Sequence, residues 1–376
     1  MDFNLFAYFT MGRRHELEAG LAGLKGELYQ RMLEEVAEIA RFADTAGFAG
    51  FGHPEHHLQI EGCEASNDLA AMAMYLGAQT RRLKIIPCGW VATTHNPLRA
   101  AETIATLDHM LRGRFAFGLV RGYQYRWVEN FRVQPDLAAV GPWNKDSADD
   151  LRNRAYFAET VEVILKALTH ETFAHRGEFW QFPAVGMKNP HVHDVYTQFG
   201  RGVTDDMRIE QVGIAPRPYQ QPYPQLYAGF GASMRTALFW ARYLGRPIVM
   251  SSNLDFCSVL WAKYKEEAER WGHTIVDGAQ VAWGGLLQCA PTDAEAMRRF
   301  EDYAWFWNKW SVPFGNPMPE TLVGSPDTIS RKIEAARQRF NPRECFLIIP
   351  QGLQPADQVC DSLELFARKV MPRFTD

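Results

Sequence analysis

Apolar and polar positions follow two alternating periods along most of this chain. Phe3-Asn4-Leu5-Phe6-Ala7-Tyr8-Phe9 predicts a first strand. Met32 to Ala46 has helical spacing and stops at Gly47, a suitable C-cap. Ala49 to Gly52 predicts a short strand, and 68–79 a helix capped by Ser66 or Asn67. Leu83 to Val91 reads as a third strand, and Pro97 opens a helix running to Leu111. Phe115 to Val120 is a fourth strand after the Arg112-Gly113-Arg114 turn. A helix is expected over 149–168. The pattern resumes with strands at 226–229, 247–251, 281–289 and 345–349, alternating with helices over 234–244, 256–271, 292–308, 325–339 and 356–370.

Between about 170 and 223 the periodicity weakens and Pro, Gly, His and aromatic residues dominate. Such a stretch is too long for a plain connection, so a functional insertion or lid is expected there. Alternation of about eight strands with eight helices predicts a (β/α)8 TIM barrel, residues 1–376 forming one domain around that insertion. The competing architecture, a doubly wound open sheet, would want a Gly-rich turn after the first strand. Met11-Gly12-Arg13-Arg14 lacks the GxGxxG spacing.

Composition narrows the function classes. Of 376 residues, 47% are hydrophobic and 22% charged, a mix that excludes disordered, collagenous and coiled-coil chains. No run of 18 apolar residues is present, so no membrane span is expected. Met1 to Thr10 is strand-like and lacks a basic stretch ahead of an apolar one, so no signal peptide is expected. The net charge of -4 argues against nucleic acid as a partner. Six cysteines at 63, 88, 257, 289, 345 and 360 form no CxxC pair and read as reduced thiols of a cytoplasmic protein.

In a barrel the C-terminal ends of the strands carry the chemistry. After the second strand stands Glu55-His56-His57, in which a carboxylate beside two imidazoles suits a general base, a donor to an anion, or metal ligation. A packed loop with surface histidines is its plain alternative. Cys88-Gly89 ends the third strand. With no base partner evident for the thiol, the glycine is read as allowing something flat to approach the backbone. Arg121 follows the fourth strand and could meet a phosphate, a carboxylate or a polar ring edge, or sit in an ion pair at the rim. Ser233 opens a helix, where free N–H groups and the helix dipole favour an anion. Arg152 and Arg154 begin another helix and offer counter-charge or solvated ends. His191 and His193-Asp194 lie in the insertion; two ligands do not make a metal site. Glu102 and Asp108 read as structural, one on a helix face and one anchoring a turn.

In combination and order, these motifs resemble the bacterial luciferase-like flavin monooxygenases. The resemblance is carried by Glu55-His56-His57, Arg82-Leu83-Lys84, His95-Asn96-Pro97-Leu98-Arg99, Glu102, Leu107-Asp108, Gly113-Arg114-Phe115, Phe117-Gly118, Val120-Arg121-Gly122 and Phe131-Arg132-Val133. Val323-Gly324-Ser325-Pro326 and Val370-Met371-Pro372 extend it to the C-terminal part. It implies a (β/α)8 barrel. It also implies an enzyme that takes reduced FMN (FMNH2) from a separate NAD(P)H:flavin reductase and, with O2, oxidises a small, apolar organic substrate through a flavin (hydro)peroxide. On this resemblance His56 is the catalytic histidine, with Glu55 and His57 beside it. Cys88-Gly89 lies against the isoalloxazine, with a non-proline cis peptide allowed there, and Arg121 meets the flavin. Arg154 and Ser233 serve its phosphate. Family members carry Glu-Ser before that helix, where this chain has Gly229-Phe230-Gly231-Ala232-Ser233. A homodimer is implied too. Phe173, Phe179, Trp180, Phe182 and Tyr196 of the insertion would close over the site and keep it dry. Three other readings stay open: a related barrel using a deazaflavin or tightly held FMN for hydride transfer, a non-catalytic flavin-binding subunit, and a metal-dependent barrel hydrolase.

Overall fold

The computed structural model describes residues 1–229 and 233–374. Its strands, in chain order, are β1 (Asp2–Phe6), β2 (Gly50–His53), β3 (Lys84–Val91), β4 (Ala116–Val120), β5 (His175–Arg176), β6 (Gln181–Phe182), β7 (Gln225–Ala228), β8 (Arg246–Val249), β9 (Ala282–Cys289), β10 (Thr321–Gly324) and β11 (Glu344–Ile348). The order β11-β1-β2-β3-β4-β7-β8 is closed by β9, which pairs with both β8 and β11. That makes a closed eight-stranded parallel barrel with helices between strands, the (β/α)8 architecture the alternation predicts. β10 joins the outer part of β9 as an extra strand, Thr321 facing Leu286. Its four residues are too short to stand out as a period.

Helix ends follow local chemistry. The helix Gly26–Ala46 buries Leu28, Met32, Val36, Ile39, Ala40 and Ala43 and stops where Gly47 turns left-handed. Asn96 caps Pro97–Met110, accepting from the N–H of Leu98 and Arg99. Ser325 caps Pro326–Phe340 in the same way. One expected cap is corrected. The helix Leu69–Gln79 is capped by Asp68, whose Oδ1 accepts from Ala71 N–H, and not by Ser66 or Asn67. The first strand also ends earlier than its apolar run, at Phe6, because Phe9 adopts φ 57° and turns the chain out of the sheet.

The chain groups into two compact units. The first comprises Met1–Trp90, Arg114–Leu119 and the residues from Gln225 onward; the second comprises Val91–Gly113 and Val120–Pro224. In the first, the barrel interior is filled by Phe6, Ile86, Cys88, Ala116, Tyr227, Ile248, Leu286 and Phe346. Each large apolar side chain so buried contributes about 1.5–3 kcal/mol. Where strands begin, the interior is polar: buried Glu344 accepts from Asn4 Nδ2 at 3.2 Å and Tyr227 OH at 2.7 Å and pairs with Arg246. In the second unit, the expected insertion holds the β5–β6 hairpin and a short helix, Asp194–Gln198. Its aromatics pack within that unit: Trp180 stacks on Phe182 and donates to Thr160 Oγ1, and Phe179 meets Tyr156 edge to face. Phe173 is buried and Tyr196 is exposed. Among the described residues no helix is long and apolar enough to cross a membrane.

Candidate active site

β2 ends at His53, and the chain then runs Pro54-Glu55-His56-His57 through a loop that returns at Ser66. The loop is pinned to the barrel and to itself. Met11 N–H donates to Gly62 O at 2.8 Å, Ala65 N–H to Phe9 O at 2.9 Å, and His56 N–H to Ser66 O at 2.8 Å. Within it the two histidines engage different carboxylates through different nitrogens. His57 Nε2 lies 2.9 Å from Glu55 Oε1, and His56 Nδ1 lies 2.6 Å from Glu64 Oε2. Glu55, His56 and Glu64 are all buried. The Tyr8 ring stacks on His56 with centroids 6.5 Å apart, and Trp307 packs against Tyr8 edge-on at 6.0 Å. Imidazoles beside buried carboxylates and an aromatic ring, just after the C-terminal end of a barrel strand, can hold and move a proton in a dry environment.

His53 belongs to a different class. It is fully buried, stacks on Phe9 with centroids 5.3 Å apart, and its Nδ1 lies 3.2 Å from Ser66 Oγ. Burial pushes its pKa down to about 4, against the smaller upward pull of Pro54 O and Glu55, so the ring is neutral near pH 7.

Gly89 sits beside this loop. Its φ is +141°, a backbone suited to glycine, and a Cβ there would come 3.3 Å from Pro54 Cα. Cys88 is fully buried, and a Cβ on Gly118 would lie 2.5 Å from its Sγ. Burial raises the thiol far above its ordinary range, so the side chain is barrel packing and only the backbone is presented. The cis bond allowed at Cys88-Gly89 is not adopted: the cis bonds among the described residues precede Pro183, Pro216 and Pro222.

Arg121 and Arg154, in the second unit, converge on one carboxylate. Arg121 Nη1 is 2.7 Å from Asp150 Oδ1, and Arg154 Nε is 3.0 Å from Asp150 Oδ2. Burial pushes the Asp150 carboxyl up, but bonds from Arg121, Asp146 N–H and Arg154 outweigh it and hold the group below its usual range. Both guanidiniums thus meet one carboxylate at the start of the helix Ala148–Thr169. Arg152 is instead paired with Asp136 at the surface. Ser233 caps the helix Met234–Ala241 by accepting from Thr236 N–H at 3.2 Å. Its predicted neighbours Phe230, Gly231 and Ala232 lie outside the described residues. His191 and His193 are exposed, and among the described residues no group of His, Cys, Asp or Glu is arranged to hold a metal.

Glu64, Tyr8, Trp307 and Asp150 are added by the structure. Only Asp150 left a local signal, four residues before Arg154 on one helix.

The histidine loop follows the C-terminal end of a barrel strand, the end at which this fold carries its chemistry. The luciferase-like monooxygenase profile matches residues 1–341, and the chain belongs to that family of flavin-dependent monooxygenases. It is 25% identical to 3,6-diketocamphane 1,6-monooxygenase of Pseudomonas putida over 323 residues, 78% of this chain and 80% of that protein. Among solved structures, monooxygenase RslO1 from Streptomyces bottropensis superposes over 100% of both chains with TM-score 0.76 at 19% identity. The oxygenating constituent of the P. putida 3,6-diketocamphane monooxygenase, a type II Baeyer-Villiger enzyme in complex with FMN, covers 100% of this chain and 99% of its own with TM-score 0.74 at 19% identity. The coenzyme F420 dependent tetrahydromethanopterin reductase of Methanopyrus kandleri shares the fold more distantly, with TM-score 0.60 at 16% identity over 91% of this chain and 96% of its own.

Proposed function

We propose that this monooxygenase uses reduced FMN, delivered by a separate NAD(P)H:flavin reductase, together with O2 to oxidise a small, apolar organic substrate, and that it works as a homodimer. The observation that carries the reading is the buried His56, beside the Glu64 carboxylate and under Tyr8, which Trp307 packs from its edge. The residues suit FMN in kind. Gly89 leaves bare backbone of the sort a flat ring approaches, while Arg121, Arg154 and Ser233 offer the charge and hydroxyl that suit a phosphate. One relative named above supports both FMN and a separate partner: the P. putida structure is in complex with FMN and is the oxygenating constituent of its monooxygenase.

When bound, reduced flavin supplies the electrons that activate dioxygen. The chain supplies the surroundings. His56 holds a proton and returns it to developing negative charge, an effect typically of 10²–10⁴-fold. Tyr8, packed by Trp307, covers the imidazole and favours an apolar substrate. Glu55 orients His57.

The first test mixes anaerobic protein with reduced FMN, adds oxygen, and follows the return of the oxidised-flavin spectrum. Wild type is expected to delay that return relative to free flavin, and His56→Ala to shorten the delay about a hundredfold, the low end of such effects. Reoxidation at the free-flavin rate in both proteins would overturn the reading, and deazaflavin binding and metal content would then be measured.

A further inference from the structure

We infer that the outer face of the insertion, formed by Val185, Met187, Val192, Val195, Tyr196 and Phe199, is a contact surface for a second copy of this chain, a contact that rests on the homodimer proposed above and gives it a place.

The insertion builds a small interior of its own and leaves these six side chains outside it. Met207 is 2% exposed and ties two stretches together. Its carbonyl oxygen accepts from Asn189 N–H at 3.0 Å, and its sulfur accepts from His193 N–H at 3.4 Å. Ile209 N–H donates to Met187 O at 3.0 Å, and Lys188 faces Arg208 in an antiparallel bridge. Residues 187–189 and the start of the short helix Asp194–Gln198 therefore lie against one buried side chain. Val195 and Phe199 stand one helical turn apart, Phe199 N–H donating to Val195 O at 3.0 Å. Tyr196 meets His193 ring to ring at 5.3 Å. Val192 is 84% exposed, Phe199 83% and Val185 73%, with Met187, Val195 and Tyr196 each close to half. A single exposed apolar side chain is ordinary, whereas a run of them this dense marks an interaction surface.

Charge and area together select the occupant. Lys188 lies 3.6 Å and Arg208 3.1 Å from Asp206, Arg208 lies 3.7 Å from Glu210, and Arg201 lies 2.7 Å from Glu171. Each Lys or Arg within 184–210 thus has a carboxylate beside it, and the face presents no positive field for a nucleic acid, an anionic lipid surface or an acidic protein. An apolar centre with a charge-balanced rim is self-complementary, as a two-fold contact between identical copies requires. Aromatic side chains offer about 150–250 Å² each and aliphatic ones somewhat less, so the exposed fractions total roughly 600 Å² per copy. Two such faces would bury roughly 1,200 Å², the size at which stable interfaces begin and more than incidental contacts cover.

Sedimentation equilibrium over a range of protein concentrations tests this. Wild type is expected to self-associate. Val192→Asp/Phe199→Asp sets like charges face to face and should weaken that association at least about 100-fold. Both positions are largely exposed, so the variant should fold, which circular dichroism checks. Val192→Ser/Phe199→Ser removes the apolar area without adding charge and should weaken association about tenfold. Amides 185–189, which carry no substitution, should exchange faster in the aspartate variant as their cover is lost. Folded variants that associate as wild type does overturn the assignment of this face and leave the homodimer standing. The same result with altered flavin reoxidation means that the face serves its own chain's site, and overturns it equally. A wild type that stays monomeric at every concentration overturns both the face and the homodimer.

Discussion

At the scale of single residues, the loop after β2 sorts three histidines into different states by what surrounds them. His53, His56 and His57 lie within five positions, yet one is buried against Phe9, one faces Glu64 and one faces Glu55. His53 has a consequence for stability. Its folded pKa of about 4 lies below the ordinary 6.5, so the unfolded chain takes up a proton first as pH falls. Stability from this ring is complete above about pH 6.5 and is lost progressively as pH drops toward 4, up to about 3 kcal/mol. Urea titrations should show wild type losing about 2 kcal/mol between pH 7 and pH 5 through this group. His53→Gln should flatten that dependence; an equal slope in the variant would show that another group carries it.

At the scale of elements, the β5–β6 hairpin depends on one carboxylate. Glu159 accepts from the N–H groups of Glu178, Phe179 and Trp180 and lies 3.1 Å from His175 Nε2. Several otherwise orphaned donors are satisfied by a single side chain on the helix Ala148–Thr169. Glu159→Ala should cost about 1–3 kcal/mol locally. Hydrogen exchange should accelerate at 178–180 while the barrel strands keep their protection; uniform loss of protection would mean that the hairpin is not a separable element. Trp180, Phe182 and Phe179 are occupied inside their own unit, where the chain had only shown that many aromatics lie close in sequence.

At the scale of the whole molecule, barrel closure is the constraint. β9 pairs on both sides, and its glycines let neighbouring backbone approach. A Cβ on Gly284 would lie 1.7 Å from Phe346 O, and one on Gly285 would lie 2.2 Å from Glu320 O. Gly284→Ala should destabilise by more than about 3 kcal/mol, since the obstructing atoms are backbone and cannot rotate away. Thermal unfolding by circular dichroism would check this, and a change within about 0.5 kcal/mol would contradict the close approach. The barrel also separates its polar groups. Glu344 with Asn4, Tyr227 and Arg246 occupies the ends where strands begin, and Glu55, His56 and His57 follow the end of β2. That division fits stability at one end and chemistry at the other.

The sequence by itself determined the order of strands and helices and most helix ends. Those depend on periods of two and 3.6 and on caps within three residues, as at Asn96-Pro97, Gly47 and Ser325. It also exposed Glu55-His56-His57, because the three are contiguous, and Asp108 as a turn anchor, which accepts from Gln220 N–H at 2.7 Å. Tertiary structure decided what those residues meet. Glu64 reaches His56 only because the loop doubles back through a left-handed residue, and Trp307 reaches Tyr8 from the far end of the chain. Arg121 and Arg154 share Asp150 through a fold that brings a strand end to a helix start. The Cys88 thiol is silenced by burial, which no local spacing reports. Periodicity is a property of neighbours in sequence, whereas partners and burial depend on neighbours in space.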